Sequence, residues 1–120
     1  MNNEDILYYF FNELELTEYD VANFIDFLLE KASSAEIRKI CSQSKVEIFD
    51  YLKNIYAYED ENLQEMNLED LKETAAQEIE EEVYRVKSNY GFRVQIELVN
   101  LFGITNEEIK RLFNEHFEFN

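Results

Sequence analysis

Apolar residues recur along this chain at intervals of three and four, separated by polar ones, as in helices packed by a single face. Asn3 stands where a helix cap belongs, Glu4 and Asp5 suit a first turn, and Ile6, Leu7, Phe10 and Leu14 follow at helical spacing. Tyr8, Tyr9 and Phe11 widen that apolar surface almost all round. Thr17 and Asp20 are spaced as a capping box, with Asp in place of the longer Glu. They open a second helix whose inward stripe is Val21, Phe24, Ile25 and Leu28, flanked by Phe27 and Leu29. Ser33 and Glu36 repeat the box and predict a separate short helix with Ile37, Ile40 and Cys41 facing inward. After the polar break at Ser42, Gln43 and Ser44, residues 45–56 form a helix through Ile48, Phe49, Leu52, Ile55 and Tyr56. The end of that run, Ile55 to Tyr58, also suits a short strand.

Residues 59–66 read as a solvated loop. Asn67 then caps the longest predicted helix, over about 68–88, where Leu68, Leu71, Ala75, Ile79, Val83 and Val86 make one continuous stripe. Gly91 is placed to end it. Residues 92–98 alternate as a strand would, yet Phe92, Ile96, Val99 and Phe102 also fall at helical spacing. With no second strand to pair with, helix is preferred. Gly103 breaks this segment, and Thr105 with Glu108 opens a last helix carrying Ile109, Leu112 and Phe113. An echo at an offset of 88 relates Leu14 to Phe24 with Phe102 to Leu112, through shared local physics and no repeat array. The expected fold is mostly α: a single acidic domain over 1–120, a compact bundle of five to six helices around one long helix at about 68–88. A short strand near 92–98 is the alternative there.

Composition agrees. Pro is absent and Gly occurs only at positions 91 and 103, so little interrupts helices. A hydrophobic fraction of 46%, with ten Phe and eight Tyr, is too apolar for a disordered acidic tail.

Charge changes the picture more. The net charge is −16, and residues 59–82 hold eleven acids against the one cation Lys72, a balance of −10. Residues 1–30 add eight acids without a Lys or Arg. Such a field repels nucleic-acid phosphates and anionic membranes and draws in basic partners. No direct nucleic-acid or membrane contact is therefore expected. The lone Cys41 excludes an internal disulfide and reads as a buried small hydrophobe. No signal-like N-terminus and no span of about 20 apolar residues is visible, so a soluble cytoplasmic protein is expected.

Candidate chemistry is sparse. One Cys and one His cannot build a structural zinc site. Asp60, Asn62 and Gln64 imitate a calcium loop, but Glu65 stands where its turn needs Gly and Leu71 where it needs a bidentate acid. His116 suits the last turn of a helix, and no nucleophile comes with a base and an orienting group. Neither enzyme activity nor a cofactor is expected. Residues 98–114 have the spacing of a helix-turn-helix, but Glu107 and Glu108 occupy the end that would face phosphates.

The acidic segment carries the functional expectation. Glu78, Glu80, Glu81 and Glu82 crowd the C-terminal half of a helix, where the dipole favours cations, and Glu69–Glu73 and Glu78–Glu82 repel at a spacing of four. A cationic partner would relieve that strain. The expected function is a small acidic inhibitor that neutralises a basic protein, a nuclease or toxin domain. Its setting would be a bacterial immunity protein or antitoxin, or a phage-type nucleic-acid mimic. The expected partner surface is Tyr56, Tyr58, Glu59, Asp60, Glu61, Glu65, Glu69, Asp70, Glu73, Glu80 and Glu81. Two alternatives stand beside it: a helix-turn-helix regulator using residues 98–114, as a homodimer paired through the long helix, and an acidic helical scaffold or assembly protein.

Overall fold

The computed structural model describes residues 16–117. The expected helix from Asn3 through Leu14 lies outside them, as do Leu14 and Glu15 of the echo. Six helices follow one another: α1 (Glu18–Cys41), α2 (Lys45–Tyr56), α3 (Asp60–Gln64), α4 (Leu68–Asn89), α5 (Phe92–Leu101) and α6 (Asn106–His116). No strand occurs among the described residues, and both segments with strand character, 55–58 and 92–98, avoid one.

α1 begins as its capping box dictates. The Asp20 N–H donates to the Thr17 hydroxyl at 3.2 Å, and the Thr17 N–H donates to the Asp20 carboxylate at 3.3 Å. The box expected at Ser33 does not form. α1 runs unbroken for 24 residues, and the Ser33 hydroxyl donates back to the Glu30 carbonyl at 3.1 Å. A cap requires the chain to leave helical geometry, and nothing between 18 and 41 is a Gly or Pro that would make it do so. α1 is consequently the longest helix, ahead of the 22 residues of α4. The break falls at Ser42, and Ser44 caps α2 in a box with Glu47.

Two further boundaries differ from expectation. Residues 59–66 are not simply a loop, because Leu63 is fully buried and a short helix forms around it. Gly91 does not terminate α4. Tyr90 leaves the helix in extended geometry and Gly91 is the N-cap of α5, at φ −80° and ψ −175°. The buried Gln95 amide donates to the Tyr90 carbonyl at 2.9 Å and fastens that corner. Gly103 does break the chain as expected, at φ +106°. The turn is held by Asn100, whose amide donates to the Ile104 carbonyl at 2.8 Å and to the Asn106 side chain at 2.9 Å. Thr105 caps α6 by accepting from the Glu108 N–H.

α1 packs against α4, α5 and α6, and α2 packs against α4. The core is the meeting of their stripes: Phe24, Ile25, Leu28 and Leu29 of α1, Leu71, Ala75 and Ile79 of α4, Ile96 and Val99 of α5, and Ile109 and Phe113 of α6. The Phe24 and Phe113 rings meet edge to face at 5.2 Å. Cys41 is only partly buried, short of the core position expected for it.

Among the described residues one non-glycine residue, Ala57, adopts the left-handed region at φ 58°. Ala57→Gly should therefore raise the free energy of unfolding by about 0.5–1 kcal/mol, and Gly103→Ala should lower it by about 1–2 kcal/mol. Urea unfolding of the two variants checks both signs.

Candidate functional site

α4 divides its own charges. At about 100° per residue, Glu69, Asp70, Glu73, Gln77, Glu80, Glu81 and Tyr84 fall on one outward arc about 120° wide, and all are exposed. Leu71, Ala75, Ile79 and Val86 lie opposite, in the core. Leu68, expected in that stripe, remains exposed at the first turn, and Val83 is half-buried. Glu78 and Glu82 lie on either side of Leu71, at the edge of the core stripe that faces α2.

Those two flank acids meet the two tyrosines expected as partner anchors. The Tyr56 hydroxyl donates to the Glu82 carboxylate at 2.8 Å, and the Tyr58 hydroxyl donates to that of Glu78. The left-handed turn at Ala57 lies between the two tyrosines. It lets both reach carboxylates one helical turn apart on α4. Burial and the bond to Glu82 push the Tyr56 phenol far above its ordinary range. The bond to Glu78 pushes Tyr58 up to about 12. Both phenols are thus held as neutral donors, and their hydroxyls are committed within the chain.

The remaining expected residues separate into groups. Glu59, Asp60, Glu61 and Glu65 are exposed around α3, just ahead of α4. Asp60 is paired with Lys53 of α2 at 3.0 Å. On the arc, Asp70 closes the capping box with Asn67, and Glu69 lies 3.7 Å from Lys72. Such exposed pairs contribute little. Glu73, Glu80 and Glu81 have no such partner among the described residues.

Three participants were not anticipated. Tyr84 stands 74% exposed at the end of the arc, a large aromatic beside Glu80 and Glu81. Its spacing of four and three from those acids was a readable signal. Asp26 and Glu30 of α1 line a groove of about 600 Å³ together with Glu80, over a floor of Leu29, Ile37 and Val83. Lys87 spans the groove to Asp26 at 3.2 Å. Members of the N-terminal acidic block and of the α4 block therefore share one surface.

The hairpin of α5 and α6 has the apolar lock of a helix-turn-helix, with Leu98, Phe102, Ile104, Ile109 and Leu112 all buried. On α6, Arg111 is bridged to Glu115 at 2.8 Å and to Glu108 at 3.5 Å, which offsets its charge. His116 ends α6, exposed, with its ring 5.2 Å from that of Phe24. Among the described residues no group of three His, Cys, Asp or Glu is arranged to hold a metal, and no helix is long and apolar enough to cross a membrane. No protein family, curated protein or solved structure matches the chain.

The tyrosine clasp makes a stability prediction. Tyr56→Phe leaves the Glu82 carboxylate, 19% exposed, without its phenol donor. The expected cost is about 1.5–3 kcal/mol in urea unfolding. For Tyr58 the folded value, about 12, lies above the ordinary phenol value of 10.0. Its contribution to stability is then complete below pH 10 and is lost as pH rises through 12. Tyr58→Phe should flatten the decline of stability over that alkaline window.

Proposed function

We propose that this protein is an acidic inhibitor that binds a basic protein and occupies the cationic cleft with which that partner grips nucleic acid. The observation that supports this best is the outward arc of α4. Five carboxylates, Glu69, Asp70, Glu73, Glu80 and Glu81, lie on it within about 18 Å at a rise of 1.5 Å per residue, in two groups about 10 Å apart along the axis.

The acids are carried on a helix whose opposite face is core and whose flank is fastened by Tyr56 and Tyr58. Little ordering entropy is lost when such a surface meets a partner. Tyr84 supplies an aromatic anchor of the kind that dominates interface energetics, while the charges govern the rate of encounter. The biological setting that fits is an immunity protein or antitoxin guarding against a nuclease toxin, or a nucleic-acid mimic that blocks a nuclease. A neighbouring gene encoding a toxin with a basic C-terminal domain would identify the partner.

With that partner in hand, the combined variant Glu69→Lys, Glu73→Lys, Glu80→Lys and Glu81→Lys should slow association by about tenfold or more at low salt. Unchanged association would end the proposal. So would a shift of duplex DNA by the purified wild-type protein at about 150 mM salt, where phosphate contacts are already weakened.

A further inference from the structure

Among the described residues Glu36 is the one buried acid. It projects from the middle of α1 and is only 9% exposed. No described residue reaches it with a hydrogen bond or an ion pair. Its carboxylate is nevertheless open on one side. Every sealed side-chain polar atom among the described residues has a partner, and Glu36 lines a hollow of about 330 Å³ between α1 and α2. Lys39, Gln43, Tyr51 and Asn54 also line that hollow, yet none of them donates to the carboxylate.

The hollow has a definite chemical character. Glu47 and Asp50 of α2 line it with Glu36, and Lys39 is the one cation, so three acids meet one base. Ile40 and Ile55 form apolar wall, and Ile55 is 61% exposed, unusual for so large an apolar side chain. Burial raises the Glu36 carboxyl above its ordinary range, and the charge of Lys39 opposes that only in part. A buried carboxylate without a donor is costly, and a cationic donor would relieve both its charge and its hydrogen-bond deficit. A metal ion is a poor occupant, because these acids do not converge as a metal-holding group. The volume lies at the lower end of ligand sites and is ample for a short chain.

We propose that the hollow between α1 and α2 is a binding site for an alkylammonium group, with Glu36 as counter-charge and Ile40 and Ile55 as walls for the methylene chain. Methylenes lie along apolar surface while the charged head seeks a partner, which is the division this lining offers. The hollow shares no lining residue with the α1–α4 groove, so the site stands independently of the inhibitor reading. The ammonium would come from a free aliphatic diamine or from the lysine side chain of another protein.

The test is a titration followed by amide NMR shifts, with 1,5-diaminopentane as probe, 1-pentanol as its neutral counterpart and a lysine blocked at both main-chain ends. The expected result is saturable one-site binding of the amines, with shifts confined to residues 36–55. Binding should be about tenfold weaker or lost for pentanol and for Glu36→Gln. Ile55→Lys, a change at an exposed position, should block the site by placing a like charge in its wall, and it serves should Glu36→Gln fail to fold. Tighter binding of the diamine than of the blocked lysine assigns the site to free diamines, and the reverse assigns it to a protein side chain. Equal binding by wild type and both variants would overturn the site. Shifts spread instead over the α4 acids would also overturn it, as general attraction to a −16 protein.

Discussion

Seven carboxylates on the 22 residues of α4 would repel one another if the helix stood alone. What each has within reach decides its role. Glu78 and Glu82 face α2 and accept from the phenols of Tyr58 and Tyr56, which join helices far apart in sequence. Asp70 is taken by the helix's own first turn. Only the outward carboxylates are left with water as their main partner. The crowding evident in the acidic run is thus partly resolved within the fold, and the part left unresolved is the part that a second molecule can reach.

The clasp adds to the hold on α2, whose Phe49 and Tyr51 are only partly buried against the core. Of its side chains only Ile48 and Leu52 are buried, and its exposed face carries Val46 and Ile55. Two hydrogen bonds to charged acceptors, with the Tyr51 and Tyr56 rings edge to face at 5.7 Å, add to a modest apolar contact. Strain at Ala57 is a small cost set against that geometry. By contrast, α1 needs no clasp, since Phe24, Leu28 and Leu29 are enclosed by α4, α5 and α6.

Much of this was readable from residue spacing. The caps at Thr17, Asn67 and Thr105, the stripe from Leu71 to Val86 and the helix over 92–101 follow from local chemistry that tertiary packing does not oppose. The outward arc follows from helix geometry alone. The main misreading took a residue pattern as a boundary where the backbone had no need to turn. Ser33 and Glu36 spell a capping box, yet a helix without Gly or Pro carries on through them. That one error hid the second site. Glu36 lies four residues from both Ala32 and Ile40, which are buried, so a continuous α1 puts its carboxylate on the inner face. The inward turn of Tyr56 and Tyr58 had no local signal, because it depends on where α4 lies beside α2.

The two acidic features differ in physical origin, and so would their ligands. On α4 the carboxylates are hydrated and mutually repelling, so their effect is a long-range field, strong at low salt and screened within about 10 Å at 0.1 M. A surface of this kind selects partners by net charge and by shape along a helix. Glu36 stands apart from that surface, only 9% exposed and with the charge of Lys39 beside it. Its attraction for a cation is short-ranged, arises from missing hydrogen bonds and desolvation, and is little affected by salt. A partner that presented a lysine chain to the hollow while its basic cleft met α4 would use both. The field would bring it in, and the buried carboxylate would slow its release.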